Sequence, residues 1–128
     1  MYSLETLVKD IGASSAAIMV PNTAEKYLYC FDSYNMPTEW VEIKNSFDKY
    51  SSYGNVHVYK TGNPKITNSL KIPFHGHYIE SVMIVPIKQK DKVIGTLELI
   101  HSSLNKTFNK SDLQKAVDFS NKIEIKPV

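Results

Sequence analysis

The chain has 128 residues, of which 42% are hydrophobic and 22% are charged. These values are typical of one globular domain that buries a core without disulfides or metals, and they exclude a disordered chain. The formal charge is +2 and all fifteen basic residues are lysine, so the sequence lacks the arginine side chains that usually read guanine or clamp phosphate. We therefore expect no nucleic-acid partner.

The cysteine content and the apolar runs narrow the class of protein further. Cys30 is the single cysteine, which excludes an internal disulfide and a cysteine metal cluster. The first residues show no basic head followed by an apolar signal core, and runs such as 82–87 are too short to cross a bilayer. We expect no membrane insertion and a cytoplasmic location.

The first third of the chain predicts one helix and two strands. Apolar residues recur at helical spacing over residues 3–11, and Gly12 is placed to end that helix. Apolar runs at 16–20 and 27–31 predict strands. Because the second run is apolar at both parities, we expect it to be covered on both faces of a sheet.

The middle of the chain predicts helices and loops. Trp40 and Phe47 share the apolar face of a second amphipathic helix that we expect to end near residue 49. A third helix over 55–60 capped by Asn55, a short strand over 65–67 and an irregular loop over 68–77 follow.

The last third predicts a hairpin and a helix. Residues 78–87 and 93–100 form two strands around a polar turn, and Val82 and Met83 begin the alternation between the two faces of the first strand. Gly95 inside the second strand indicates the close approach of another backbone or helix. The spacing of Asn109 and Asp112 resembles a capping box for a C-terminal helix. Hairpins favour an antiparallel sheet with helices as covering layers.

Several of these segments resemble the GAF domain family. The family's characteristic hairpin is similar to three consecutive segments: Ser81-Val-Met-Ile-Val-Pro-Ile87, a polar turn, and Val93-Ile-Gly-Thr-Leu-Glu-Leu99. Phe108-Asn-Lys-Ser-Asp112 resembles the start of its last helix, and Thr61-Gly-Asn-Pro-Lys-Ile66 the segment after its short helix. The matches span nearly the whole chain, so we interpret residues 1–128 as a single GAF-like domain.

The resemblance implies an α+β fold of the GAF-like (profilin-like) type. Its central antiparallel sheet has five to six strands. The two terminal helices lie on one face of the sheet, and short helices and loops roof the other face. A cavity for a small ligand lies under that roof, as is common where loops and short helices cover a sheet.

The resemblance also implies a class of function. The family includes cyclic-nucleotide, bilin, haem and metabolite sensors and a free-methionine-sulfoxide reductase. This sequence lacks the Asn-Lys-Phe-Asp-Glu signature of the cyclic-nucleotide branch. Cys30 does not adjoin a histidine, as bilin attachment requires, and a single cysteine cannot form the reductase's resolving disulfide. We expect a small-molecule-binding sensory or regulatory domain of a signalling protein and no enzyme activity, with the ligand and any cofactor unidentified. A ligand-free dimerisation or signal-relay module and a redox enzyme of the reductase type are the alternatives.

The expected pocket combines aromatic walls with a polar floor. Glu98 lies inside a predicted central strand, where a charge is costly unless it is paired or exposed, so it is either a polar anchor or faces solvent. Thr96 shares its parity. The aromatic side chains are either core packing or a wall that stacks on a planar ligand. The pocket candidates are Tyr29, Phe31, Trp40, Phe47, Tyr53, Tyr78, Met83, Thr96 and Glu98.

The expected mechanism links the pocket roof, residues 33–78, to pairing of the terminal helices in a homodimer and so to an output domain. Covering the sheet of their own chain is the other role of those helices. The ligand-free alternative predicts a pocket plugged by Trp40, Phe47 and Met83. The dimer-helix candidates are Leu4, Leu7, Leu113, Ala116 and Val117.

Histidine and cysteine side chains are two further candidates, for a metal site and a redox site respectively. His75 and His77 can reach one metal ion only if their loop curves, and no further ligand follows from the spacing. A solvated loop is therefore the favoured interpretation, with no metal. Nothing cationic adjoins Cys30 in the sequence to lower the pKa of its thiol, which favours a buried filler over a redox sensor.

Overall fold

The structure is a computed structural model that describes residues 3–49 and 54–125. The helices are α1 Leu4–Ile11, α2 Thr38–Val41, α3 Asn55–Thr61 and α4 Lys110–Ser120. The strands are β1 Ser15–Pro21, β2 Tyr27–Tyr34, β3 Asn45–Ser46, β4 Lys65–Thr67, β5 Ile72–Phe74, β6 His77–Ile79, β7 Ser81–Gln89 and β8 Lys92–His101.

Six of the strands form one antiparallel sheet in the order β3-β2-β1-β8-β7-β4. β1 pairs with its neighbour β2 and also with β8, which enters between β1 and β7 from the far end of the chain. β5 and β6 form a separate two-stranded hairpin. The expected α+β fold with an antiparallel sheet of five to six strands is confirmed.

The terminal helices cover one face of the sheet, called here the terminal-helix face. α1 and α4 contact each other, and they pack on β1 and β7 respectively. Met83 and Val85 of β7 point to this face, as do Leu97 and Leu99 of β8, and all four join a core with Leu7 of α1. The expected placement of both terminal helices on one side is confirmed.

The opposite face, called here the cavity face, is covered by α2, α3 and the β5–β6 hairpin. Val82 and Ile84 of β7 point to this side, where they pack with Trp40 of α2 and Val58 of α3. The alternation expected along β7 therefore divides two cores. Both faces are covered, which is why the strands are apolar at both parities.

Local capping explains where the terminal helices begin and end. The Ser3 hydroxyl accepts a hydrogen bond from the Thr6 backbone N–H, and Gly12 ends α1 with a left-handed φ of 83°. Asn109 and Asp112 form the expected capping box of α4 through reciprocal hydrogen bonds of 2.9 and 3.0 Å. Among the described residues, no helix has the length and apolar character that a bilayer span requires.

The second predicted helix is wrong beyond its first turn. α2 is four residues long, and the chain then pairs Asn45 and Ser46 with β2 as the edge strand β3. Phe47–Lys49 is a single 3-10 turn. The apolar spacing of Trp40 and Phe47 reflects two separate contacts, because pairing with the edge of the sheet outweighs the helical pattern.

The loop expected over 68–77 is also wrong in part. Residues 72–79 form the β5–β6 hairpin, which turns at His75 and Gly76. Beside it, the buried Glu80 carboxylate accepts a 2.6 Å hydrogen bond from the Tyr78 hydroxyl and lies 3.2 Å from the Lys71 ammonium. These polar contacts fix the hairpin to the strand that follows.

Candidate ligand-binding site

A cavity of about 530 Å³ lies between the cavity face of the sheet and its roof. The volume is within the range of natural small-molecule sites. Its lining consists of Ala17, Met19, Cys30, Met36, Trp40, Ile43, Asn45, Gly54, Asn55, Leu70, Ile72, Phe74, Ile79, Val82, Glu98 and Ile100.

The floor of the cavity comes from the central strands. Glu98 of β8 lies opposite Ala17 of β1 on one side and Ile84 of β7 on the other. Because the alanine side chain is short, space remains above the centre of the sheet. Glu98 is half-buried, and since it lines the cavity the exposed part of its side chain faces this space.

Two polar side-chain contacts hold the roof together. The Trp40 indole Nε1–H donates a 2.8 Å hydrogen bond to the Phe74 carbonyl, which ties α2 to β5. His77 of β6 lies 3.0 Å from the Glu39 carboxylate. Ile72 and Phe74 remain 37% and 38% exposed, so the roof has an apolar outer edge beside the cavity.

A chain of polar side chains reaches Glu98 from beneath the roof. The buried Thr96 hydroxyl donates a 2.8 Å hydrogen bond to Asn55 Oδ1. With its oxygen occupied, the Asn55 amide donates its N–H to the Glu98 carboxylate. Burial raises the pKa of the Glu98 carboxyl above its ordinary value, and the Asn55 hydrogen bond opposes that rise.

Cys30 is the second ionisable group of the lining. Its Sγ–H donates a 3.4 Å hydrogen bond to the Asp32 carbonyl. Burial raises the pKa of the thiol, and the negative charges of Asp32 and Glu98 raise it further. The group is therefore a neutral thiol at physiological pH, which is a poor nucleophile.

Two of the sequence-predicted pocket residues line the cavity, Trp40 and Glu98. Thr96 lies on the same face of β8 as Glu98 but is buried under α3, where it bonds to Asn55. Sequence reasoning assigned Asn55 the cap of α3, whereas Gly54 occupies that position and the Asn55 side chain is buried against Thr96. A polar residue that follows a glycine at the start of a helix indicates a helix cap. The sequence therefore carries no signal that Asn55 instead contacts Thr96 of β8.

The prediction that Tyr29, Phe31 and Met83 line the cavity is wrong, because all three side chains point to the terminal-helix face. Met83 is fully buried in the core beneath α1 and α4. Tyr29 lies opposite Val20, a member of that same core. The β-bulge between Ile18 and Met19 sets which β2 side chains face the cavity, and single-sequence patterns do not reveal a bulge.

Phe47 and Tyr78 are also outside the cavity, and Tyr53 lies outside the described residues. The Phe47 ring stacks on Tyr59 of α3 with ring centroids 5.5 Å apart. The Tyr78 hydroxyl is bonded to Glu80. Trp40 lines the cavity without filling it, so the plug expected from Trp40, Phe47 and Met83 is not formed.

The dimer-helix candidates divide by burial. Leu4, Leu7 and Ala116 are buried in the core of their own chain, at 5%, 0% and 0% exposure. They therefore cover the sheet and are not available to a partner. Leu113 and Val117 are half-buried against the same core.

The two histidines of the hairpin do not point to a common centre. His75 packs edge-on against the Phe74 ring, whereas His77 contacts Glu39 and the Trp40 ring. In the part of the chain that the structure describes, no three histidine, cysteine or acidic side chains are grouped so that they could hold a metal ion.

A larger open groove of about 800 Å³ lies at the ends of β1, β2 and β8, where Tyr29 and Phe31 are 37% and 45% exposed. Its wall includes the polar turn residues Gln89, Lys90 and Lys92. We favour the smaller cavity as the candidate site because its lining is less polar than that of the groove and a single carboxyl group lies at its floor.

Comparison with known proteins agrees with this architecture. The family model described as "GAF domain" matches residues 3–126. No curated protein sequence matches the chain significantly. The structure resembles the GAF domain of a phosphoenolpyruvate-protein phosphotransferase from Acinetobacter, with a TM-score of 0.76 and 12% identity over 93% of this chain and 73% of that chain.

Two further solved structures are similar. One is the GAF-B domain of DevS from Mycobacterium smegmatis, with a TM-score of 0.73 and 16% identity over 93% of this chain and 82% of that chain. The other is NreA from Staphylococcus aureus mutated in its nitrate binding site, with a TM-score of 0.67 and 18% identity over 91% of this chain and 92% of that chain. At these identities the likeness extends to the fold alone.

Proposed function

The chain belongs to the GAF domain family, a family of sensory, ligand-binding and regulatory domains, and from this premise we propose that its cavity binds a small molecule and thereby regulates a signalling protein. The observation that carries the proposal is the 530 Å³ cavity with Glu98 at its floor and Trp40 in its roof. A mostly apolar space with a few polar groups that converge on it is typical of a ligand site. The nitrate binding site named for the similar NreA structure supports the same use of the fold.

The proposed mechanism begins with ordering of the roof, residues 33–78. Ligand contacts with Trp40 and with Phe74 of the hairpin favour a closed roof. The strand β8 then links the two sides of the sheet, because Glu98 faces the cavity whereas Leu97 and Leu99 face the terminal helices. Such coupling requires that the ligand bind two arrangements of the domain with different affinity.

Intrinsic fluorescence tests ligand binding directly, because Trp40 is the single tryptophan of the chain. We expect a member of a metabolite library that spans amines, amino acids, nucleotides and tetrapyrroles to change its emission and to raise the melting temperature. Ala17→Leu places a larger side chain into the floor and should abolish both signals. Ala24→Leu makes the same change at an exposed turn and should leave them intact. Equal responses of wild type and Ala17→Leu, or no response in any class, would contradict the proposal.

Homodimerisation through the terminal helices is the second candidate function. The observation that favours it is the half-buried, apolar pair Leu113 and Val117 on α4. If the pair forms an interface, Val117→Glu should shift the mass measured by light scattering from dimer to monomer while the circular dichroism spectrum is unchanged. A wild-type chain that stays monomeric at high concentration would remove this function.

We propose no enzyme activity for the domain. Burial and the negative charges of Asp32 and Glu98 raise the pKa of the Cys30 thiol. Catalytic cysteines instead need a thiolate that a positive neighbour or a helix start stabilises. Reductase activity on free methionine sulfoxide that Cys30→Ser abolishes would overturn this view.

The wider setting is proposed on family grounds. GAF domains sit in multidomain proteins beside output domains, and we propose such an output domain here, in a cytoplasmic protein. Chemical labelling of Cys30 in intact cells, compared with labelling after membrane permeabilisation, tests the location.

A further inference from the structure

The charges around the cavity bear on the chemical class of its ligand, and this inference rests on the proposed function. Glu98 and Cys30 are the only ionisable side chains among the lining residues that the structure describes, and none of those residues is basic. Residues 50–53, next to Gly54 of the lining, read Tyr-Ser-Ser-Tyr and add no cation. Among the residues that the structure describes, a bound molecule therefore meets one carboxylic acid and no basic side chain.

The carboxyl group of Glu98 is incompletely satisfied within the protein. Thr96 fixes the Asn55 amide so that its N–H donates to Glu98. An ionised carboxylate has about four acceptor positions, so one amide leaves most of them open. Since Glu98 lines the cavity, those positions are available to a ligand that donates hydrogen bonds.

The same environment disfavours other charge types. An anion would lie beside the Glu98 carboxylate with no cation to offset the loss of its hydration. An amino acid would leave its own carboxylate unpaired in the apolar part of the cavity. A cation, in contrast, forms a desolvated pair with Glu98 and can also contact the electron-rich face of the Trp40 ring.

We propose that the cavity binds an organic ammonium ion with an apolar body, in which Glu98 is the counter-ion and Trp40 is the aromatic wall. The ammonium head donates to Glu98, and the body replaces water against Val82, Ile100 and Phe74. The Trp40 N–H is already bonded to Phe74, so the indole contributes its ring and not a hydrogen bond.

The test uses three compounds that share one body and differ in charge: phenethylamine, phenethyl alcohol and hydrocinnamate. Isothermal titration calorimetry and Trp40 fluorescence measure their affinities for the whole chain. We expect the amine to bind at least about tenfold more tightly than the alcohol and the carboxylate not to bind, because only the amine pairs with Glu98. Glu98→Gln should remove the preference for the amine and retain binding of the alcohol. Glu5→Gln, on the exposed face of α1, is the matched control and should keep it.

The pH dependence of binding gives a second readout that needs no variant. Cys30 is the titratable group that faces Glu98 from β2, and its raised pKa keeps it neutral below pH 9. The residues that face Glu98 from β1, β7, α2 and α3 are Ala17, Ile84, Trp40 and Asn55, none of which titrates. Amine affinity should rise about tenfold per pH unit below the pKa of Glu98 and then level off, whereas alcohol affinity should not rise.

The outcomes separate this inference from the proposed function. If the alcohol or the carboxylate binds as tightly as the amine, or if Glu98→Gln keeps the preference, the ammonium class is wrong although the cavity still binds ligands. If the amine does not bind at millimolar concentration, the ammonium class is also wrong. The metabolite library with Ala17→Leu then decides independently whether the cavity is a ligand site.

Discussion

Glu98 owes its properties to two residues, one of which is distant from it in sequence. Asn55 comes from α3 and Thr96 from the same strand, and their 2.8 Å hydrogen bond turns the amide toward the carboxyl group. Without this amide, burial alone would act on the pKa of Glu98. Burial and the Asn55 hydrogen bond therefore act on the pKa of Glu98 in opposite directions.

The raised pKa of Glu98 predicts a specific pH dependence of stability. Between the ordinary glutamate pKa of 4.5 and the raised pKa of folded Glu98, the folded state binds more protons than the unfolded state. The free energy of unfolding therefore falls as pH rises through this interval. Glu98→Gln lacks the effect, so its stability relative to wild type should increase with pH and then become constant. Urea unfolding at a series of pH values measures this difference.

The pKa values of two other carboxylates, Glu80 and Glu39, are shifted in the opposite direction, and these groups serve as the internal control. A hydrogen bond from Tyr78 and the Lys71 ammonium lower the pKa of Glu80, and backbone and His77 hydrogen bonds lower that of Glu39. Their contribution is present above the ordinary pKa and is lost as pH falls, but it is common to both proteins and cancels. If the difference in unfolding free energy between Glu98→Gln and wild type does not change with pH, burial does not raise the pKa of Glu98.

At the residue scale, the sequence predicts an isolated charge but not its partners. Glu98 can be recognised as a candidate site residue because a carboxyl group inside an apolar strand is costly unless it is paired or exposed. Trp40 can be recognised because it is a large aromatic residue in a helix predicted to face the sheet. Asn55 is not recognisable, since its contact depends on how α3 lies over β8. The predicted facing of Tyr29 and Phe31 is wrong because β2 has a bulge at Phe31, where the pairing passes from Ile18–Asp32 to Met19–Cys30.

Among the secondary-structure elements, the roof is built from short pieces. α2 and the β5–β6 hairpin contain few residues each, and side-chain contacts hold them together: the Trp40–Phe74 hydrogen bond, the His77–Glu39 pair and the Trp40–His77 edge contact at 5.7 Å. Elements with few buried apolar contacts open at lower free energy than core strands. The roof is therefore the part of the domain best suited to respond to a ligand.

Removal of one roof contact should loosen the hairpin locally. Trp40→Phe keeps an aromatic ring but deletes the N–H that bonds the Phe74 carbonyl, at a cost of about 1 kcal/mol. We expect faster amide hydrogen exchange over residues 72–79, measured by mass spectrometry, with unchanged exchange in β7 and β8. Phe47→Leu, which alters the neighbouring Tyr59 stack outside the cavity, should leave the hairpin unchanged. Equal exchange in wild type and Trp40→Phe would mean that this bond does not hold the roof.

The elements that the sequence predicted well are those with strong local signals. β7 and β8 are long, mostly apolar runs joined by a polar turn, and α4 has a capping box. β3, α2 and each strand of the β5–β6 hairpin have two to four residues, which is too short for periodicity to identify. Tertiary pairing with β2 and contact with Trp40 define them instead.

For the whole molecule, one sheet serves two cores. The terminal-helix core and the cavity-face cores meet through a single layer of strands, so each central strand contributes to both. A change in the register between β1 and β8 would consequently disturb the packing on both faces of the sheet.

The substitution Gly95→Ala tests how strongly stability depends on the pairing of β1 with β8. An added Cβ would lie 2.6 Å from the Met19 carbonyl oxygen and 3.2 Å from the Val20 side chain, so Gly95→Ala must separate β1 from β8. We expect a global loss of about 3 kcal/mol in urea unfolding. Gly76→Ala at the hairpin turn has no atom within 4 Å and a φ of 81°, and the strain of that conformation alone should cost about 1 kcal/mol. Equal losses for the two variants would argue against close packing of the central strands.

The position of β8 in the sheet also governs when the cavity can first exist. Ser15 of β1 pairs with Ile100 of β8, and translation of the intervening chain takes roughly 4 to 17 s. Until β8 emerges from the ribosome, β1 has one unpaired apolar edge and the floor lacks Glu98. A nascent chain stalled before residue 92 should therefore recruit chaperones to that edge, whereas a chain that includes β8 closes the sheet and supplies the floor of the cavity in one step.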